Sequence, residues 1–305
     1  MSCILCDQSN FKTVSTKDAK SGDFLNVSIC QSCGMVQQDP IPTEAELKAY
    51  YSTEYRQDYK NTYMPKPKHV FRAGNLALER IKFLQNGGVA KGRLIDVGAG
   101  GGEFTWLSGQ MDFESEGMEP NIGYSTYARE EYGINIQTGQ LADVVGTYQV
   151  ITMFHVLEHI PDPVKTFEKL WALLEDQGHV LIEVPNIETN DASPHNIYFK
   201  AHIHYFSEAT LVASASPYFE VVVSDNSSDL RILFKKRTER QELSLPSASK
   251  MKFTEKRLQR KGWVEYIFEG KGYAKIFSRI STIIREAMLP KQGGIQLLQR
   301  LIKNI

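Results

Sequence analysis

The spacing of apolar positions changes at three places along this chain and divides it into four regions. Between residues 93 and 236, short apolar runs alternate with stretches of helical period. Arg93–Val97, Phe113–Met118, Ile134–Ile136, Tyr148–Phe154 and His179–Val184 read as strands, and 102–110, 122–131 and 163–175 as the helices between them. Phe219–Val223 and Arg231–Phe234 add two further strands, the last one antiparallel. Runs such as Leu94-Ile95 are apolar on both faces, so this is a sheet with helices on either side. The pattern predicts an α/β fold, a doubly wound Rossmann-like sheet. Its right-handed crossovers leave a ligand crevice at the carboxyl ends of the strands.

The flanking regions follow other patterns. Residues 1–42 form a small module of their own. Pro40 and Pro42 end it, and Thr43 and Glu46 ahead of Leu47 and Tyr50 predict a capped helix in a helical connector, 43–92. Tyr50, Tyr51, Tyr55, Tyr59 and Tyr63 could line an acceptor pocket or pack on the next domain. A second helix, from about Phe71 to Asn86, leads through Gly87 and Gly88 into the first strand. Residues 237–305 form a helical C-terminal extension after the linker Ser244 to Ser249. Its end carries Ile295, Leu298, Leu301, Ile302 and Ile305 on one stripe, opposed by Arg300 and Lys303. That stripe suits an anionic membrane surface, the active site, another subunit or the body of the protein itself.

The chemistry starts where the first strand of the core stops. Asp96, Gly98, Ala99, Gly100, Gly101 and Gly102 form D-x-G-x-G-x-G, leaving almost no side chain between strand and helix, so a ligand can lie against bare backbone. A dinucleotide fingerprint needs glycine where Glu103 stands, and a P-loop needs a Gly-Lys-Ser/Thr ending that is missing. An acidic strand end with no phosphate-pairing lysine suits a ligand that carries an ammonium group. Glu119, followed by Pro120, ends the next strand where doubly wound folds place a ribose-binding carboxylate.

This set resembles the class I S-adenosylmethionine-dependent methyltransferases over roughly Arg72 to Lys235. The resemblance implies that Asp96, Gly98, Ala99, Gly100, Gly102, Glu119 and Pro120 hold the cofactor. It also implies that Gln140 and Leu141 lie beside the adenine, and that Phe154 and His155 stand where the strand Tyr148–Phe154 ends. The segment HVLEH is similar to that of ubiquinone-pathway O-methyltransferases, in which acidic residues and a histidine bind a divalent ion. Glu158 and His159 match, but His155 replaces the first glutamate, and magnesium prefers oxygen ligands, so the change argues against magnesium.

Cys3, Cys6, Cys30 and Cys33 are the only cysteines, as two CxxC pairs. Four thiolates in pairs suit tetrahedral zinc with no open position, hence a structural site. The module resembles the zinc ribbons preceding methyltransferase domains in bacterial enzymes that modify sugars. That resemblance implies a sugar or glycan-type acceptor in polysaccharide biosynthesis. Related deoxysugar C-methyltransferases carry a further large C-terminal domain, so the chain length favours O-methylation; C-methylation of a nucleotide-linked deoxysugar remains the alternative.

Charge alters the picture of the extension. From Lys235 onward 17 Lys/Arg face 6 Asp/Glu, a local +11, and with −1 overall the rest carries −12. A basic tail on an acidic body calls for an anionic partner: a membrane surface, a lipid-linked acceptor or a nucleic acid. Against nucleic-acid methylation, the Asn/Asp-Pro-Pro-aromatic motif is missing where Thr152-Met153-Phe154-His155 stands. No run of eighteen apolar residues exists, and MSCILCDQSN has neither a basic nor an apolar leader region, so the expected location is the cytoplasm, or peripheral at the inner face of the membrane.

Methyl transfer to a hydroxyl needs alignment, a dry cavity and a base, and histidine has a suitable pKa. His155 is the first candidate. His202 and His204 lie on the long segment after Val184, the expected acceptor-facing lid, where Ser207 should cap the next helix. The acceptor atom and oligomeric state stay open.

Overall fold

The computed structural model describes residues 2–43, 46, 65–274, 282 and 293–303. Three antiparallel strands come first: β1 (Phe11–Lys17), β2 (Phe24–Cys30) and β3 (Val36–Gln38). Helix α1 (Pro67–Asn86) then leads through Gly87 into the core. Its elements are β4 (Gly92–Val97), α2 (Glu103–Gly109), β5 (Phe113–Glu119), α3 (Ile122–Tyr132), β6 (Ile136–Thr138), β7 (Tyr148–Phe154), α4 (Pro163–Leu173) and β8 (Leu174–Val184). The short strand β9 (His204–Tyr205), α5 (Glu208–Ala215), β10 (Phe219–Asp225) and β11 (Leu230–Lys236) complete it. Helices α6 (Ala248–Leu258), α7 (Trp263–Phe268) and α8 (Gly294–Ile302) follow.

The seven-stranded sheet runs β10-β11-β8-β7-β4-β5-β6. β8, β7, β4, β5 and β6 are mutually parallel, and β11 is antiparallel to both of its neighbours. The chain begins at the centre with β4, moves outward to β6, and returns to β7 on the other side of β4. The crevice between β4 and β7 is therefore the topological switch point.

Alternation along the strands sends one set of residues to each face. Ile95, Val97, Ile151, Met153, Val180 and Ile182 enter one core with Phe167 and Leu211 of α4 and α5. Leu94, Val150, Leu181 and Leu233 enter the other with Ile81 and Leu84 of α1. Several boundaries differ from the sequence reading; α1, for one, starts at Pro67 rather than Phe71. The third strand is Ile136–Thr138 rather than Ile134–Ile136, and α4 stops at Leu173, where β8 begins at once rather than at His179. Helical propensity runs past Leu173, but pairing of Leu174 with Tyr148 overrides it.

The four-stranded sheet orders as β1-β2-β3-β9, so its outer strand belongs to the lid segment after β8. The N-terminal module is thus bound to the core by a shared sheet. The extension is packed onto the body as well. Leu297, Leu298 and Leu301 of α8 are buried in the second core, the last two touching the space left by Gly74 on α1, and Glu131 accepts the Ile295 N–H at 2.9 Å. Of the four uses open to the stripe, the fold takes the last: it packs on the body of the protein, over α1 and α3, where three leucines are buried. Ile305 lies outside the described residues. So do Leu47 and the five tyrosines Tyr50, Tyr51, Tyr55, Tyr59 and Tyr63; ahead of them Thr43 and Glu46 make the expected capping box. Among the described residues no helix is long and apolar enough to cross a membrane.

Candidate cofactor and acceptor site

At the end of β4 the backbone turns through three left-handed glycines, Gly98 (φ 80°), Gly100 (φ 53°) and Gly102 (φ 86°). Each is there for its own reason. A Cβ on Gly98 would stand 2.3 Å from Val156 Cγ2, and one on Gly102 would stand 2.8 Å from Ala128 and Ile134. A Cβ on Gly100 would project into open space, the cradle a ligand needs. The Gly98 and Ala99 amides donate to the Met118 carbonyl at 2.8 and 3.1 Å, and the Gly100 amide donates to Glu119 Oε2 at 2.9 Å. Glu119 Oε1 accepts from the Asn121 amide at 2.8 Å, so the predicted ribose carboxylate also fixes the loop.

Asp96 is buried under this loop, accepting from Thr152 Oγ1 at 2.7 Å. Burial pushes its pKa up to about 6, against the hydrogen bond from Thr152 and the charge of Arg80. An adjacent ammonium group would favour its ionised form. Phe154 packs edge-on against Phe104 at 4.8 Å, with the Arg80 guanidinium over its ring. Pro120 and Gln140 are exposed, and Leu141 packs partly on the first core. All of these leave the carboxyl ends of β4, β5, β6 and β7, so the candidate cofactor residues are brought to one edge.

His155 follows β7 in a left-handed conformation (φ 55°), its amide donating to the Glu183 carbonyl at 2.8 Å. Both ring nitrogens face carboxylates. Nδ1 is 3.5 Å from Glu158, and Nε2 is 3.3 Å from Glu183 and 3.8 Å from Asp229. Burial pushes the His155 pKa down, but the Glu158 and Glu183 carboxylates outweigh it and raise it to about 10. Glu183 in turn is gripped by Arg80 and by Arg231, the latter at 2.6 Å.

These supporting groups were missed in the sequence. Glu183 is an acid inside an otherwise apolar strand and Arg80 a cation on a buried helix face, and those two anomalies were the available signals. Asp229 offers no such signal; only the pairing of β10 with β11 returns it to the edge of β8.

The other two histidines part company. His202 reaches the Glu158 cluster, its Nε2 3.9 Å from Glu158 Oε1, beside His159 at 3.8 Å. His204 does not match an acceptor-facing role. It is buried in β9 with Nε2 donating to the Pro161 carbonyl at 2.9 Å, which ties the lid to the turn after β7. The ion expected from the ubiquinone-pathway resemblance would meet a single carboxylate, Glu158, among imidazoles. That donor set does not fit magnesium.

In the N-terminal module Cys3 Sγ lies 3.5 Å from Cys33 Sγ, and Cys6 Sγ 3.6 Å from Cys30 Sγ, with all four sulfurs within 4.8 Å of one another. Both knuckles close on a left-handed residue, Asp7 or Gly34, which turns the chain around the sulfurs. Thiolates about 2.3 Å from one zinc stand just under 4 Å apart, so the residues present fit that ion.

Residues 69–215 match the family model of a methyltransferase domain. This segment is a class I, S-adenosylmethionine-dependent methyltransferase domain. The chain is 26% identical over 110 residues to a ubiquinone biosynthesis O-methyltransferase of Acinetobacter baylyi, covering 33% of this chain and 46% of the relative. A ubiquinone biosynthesis O-methyltransferase of Vibrio campbellii is 30% identical over 109 residues, covering 32% and 46%. The chain thus spans about half the length of the curated relatives it matches. The solved magnesium protoporphyrin IX methyltransferase of Synechocystis, with bound SAH, aligns at a TM-score of 0.47 and 13% identity, over 64% of this chain and 100% of that one. The glycine loop, Glu119 and His155 all lie inside the methyltransferase domain, and the cysteines lie outside it.

Proposed function

We propose that the chain transfers the methyl group of S-adenosylmethionine to a hydroxyl oxygen of a small sugar or glycan-type acceptor. The observation that carries the reading is the glycine cradle hung on Glu119, opening at the switch point beside His155. The loop and Asp96 bind and orient the cofactor, whose sulfonium supplies the methyl group. The C–S bond breaks as the C–O bond forms, and the oxygen's proton must leave. His155 was the expected base, yet both its nitrogens face carboxylates, which only accept. In this reading the proton goes to Asp229, 3.8 Å from His155, and the imidazole holds that carboxylate in place.

The sugar acceptor rests on the ribbon joined to this core. A second reading, an acceptor from ubiquinone biosynthesis, is favoured by the curated relatives. Four cysteines hold structural zinc. The basic extension meets an acidic membrane surface through α6 and α7, where Lys252, Lys256, Trp263, Val264 and Phe268 are exposed.

The test is calorimetry with S-adenosylhomocysteine, followed by methyl transfer from labelled cofactor to panels of sugars and phenols. Asp229→Asn should bind the cofactor normally and lose about 10²- to 10⁴-fold in kcat. Absence of cofactor binding in the parent chain ends the reading, and a fully active Asp229→Asn removes the assigned base.

A further inference from the structure

We propose that the terminal helix α8 is a working part of the cofactor site: docked on α3, it holds Tyr132 against Glu103, and Glu103 props the glycine loop at Gly101. The inference rests on the reading of that loop as the cofactor cradle and is independent of the acceptor. Glu103 is the reason to look. It is the first residue of α2, it is 8% exposed, and no part of the cofactor or acceptor geometry uses it. An acid is seldom buried without a partner or a task. Its carboxyl oxygens lie 2.8 and 2.9 Å from where a Cβ on Gly101 would stand, so they fill the space which that glycine leaves. The Glu103 amide and the Tyr132 hydroxyl donate to the carboxyl. Tyr132, the last residue of α3, also reaches the end of the loop, its Cδ2 3.6 Å from the Cβ position of Gly102. Glu103 and Tyr132 are thus positioning residues, which shape the loop from the side away from the ligand.

What keeps Tyr132 in place comes from the other end of the chain. Tyr132 and Tyr127 are both buried and pack edge-on at 5.6 Å between ring centroids, with their hydroxyl oxygens 3.4 Å apart. Helix α8 begins on those hydroxyls. A Cβ on Gly294 would stand 2.6 Å from Tyr127 Oη and 2.7 Å from Tyr132 Oη, so only glycine lets the start of the helix come so close. Beside them Glu131 accepts the Ile295 N–H at 2.9 Å, a carboxylate at the positive end of a helix. Further along α8, Leu298 and Leu301 close on Gly74 of α1, and Leu107 of α2 reaches the same spot. Helix α8 therefore joins α1, which packs on α2, to α3, which packs under the end of the loop at Gly102.

The consequence is linkage. A helix that stabilises the bound shape of the loop is itself held more firmly once the loop is occupied, and the two effects are equal in free energy. Cofactor occupancy is then felt at α8, and displacing α8 loosens the cofactor. The buried stripe acquires a use in binding through groups that never touch the ligand.

The test pairs calorimetry with hydrogen exchange on the full chain, using S-adenosylhomocysteine. Saturating ligand should slow exchange at the Leu298 and Leu301 amides of the parent. Gly294→Leu should weaken binding about 5- to 150-fold, with β4 and β7 still protected as proof of a folded sheet. Glu103→Ala should lose a similar factor and Glu103→Gln recover most of it, because the amide keeps the shape and can both donate and accept. If Gly294→Leu does not fold, Ile295→Pro takes its place: it removes the N–H given to Glu131 within the first turn, where proline is tolerated, and should weaken binding in the same direction. Binding within about twofold of the parent in these α8 variants or in Glu103→Ala would overturn the proposal, as would α8 exchange indifferent to ligand in the parent; either leaves the cofactor reading standing. A parent that binds no S-adenosylhomocysteine ends both.

Discussion

Replacing Gly98 by alanine tests whether the first glycine of the loop is demanded by geometry. Its φ of 80° costs a residue with Cβ about 1–2 kcal/mol. The new methyl would also lie 2.3 Å from Val156 Cγ2, and relieving such overpacking costs about 1–3 kcal/mol more. The sum is about 2–5 kcal/mol, lost before any ligand is added. Val156→Ala alone removes two methyl groups from a partly buried site and costs about 1–2 kcal/mol. In the double variant the clash disappears while the backbone strain stays. The two losses should then fall short of additivity by about 1–3 kcal/mol. Urea unfolding at pH 7, with and without S-adenosylhomocysteine, measures all four proteins. Strict additivity would refute the contact, and a Gly98→Ala cost below about 0.5 kcal/mol would refute the strain as well.

Three further expectations follow from other parts of the molecule. Glu103 is buried at the start of α2, and burial raises its pKa to about 7. The folded chain therefore keeps that proton where the unfolded chain, near 4.3, has lost it, so stability falls as pH rises from about 4 to 7 and stays lost above. Glu103→Gln should raise the melting temperature at pH 8, by up to about 3 kcal/mol in stability, and leave it unchanged near pH 4; coincident melts at pH 8 would contradict this. Stripping metal from the four cysteines should speed hydrogen exchange at Tyr205, which pairs with Val36 of the ribbon strand β3, and spare β4 and β7; unchanged protection at Tyr205 would disprove the coupling. Gly74→Phe should drive Leu298 and Leu301 off α1 and increase dye binding to exposed apolar surface, because a Cβ there already meets both leucines at 2.7 and 2.6 Å; a variant as dye-silent as the parent would refute the docking of α8.

Much of this protein is local and was legible along the chain. Unbroken apolar runs in β4, β7 and β8, glycines between β4 and α2, paired cysteines and the Ser207 cap each follow from a few neighbouring residues and the sterics or ligand chemistry of those types. Where a position is decided by distant partners, the sequence was silent. The end of α4 is set by the pairing of Leu174 with Tyr148, and the fate of the terminal stripe by an empty space at Gly74, 224 residues before Leu298. The histidines show the division most plainly. Their spacing marked His155, His202 and His204 alike as candidates, but only the folded chain turned His155 toward three carboxylates, set His202 over Glu158 and hid His204 under Pro161. Side-chain chemistry is written residue by residue, whereas burial and charge environment belong to what the rest of the chain places alongside.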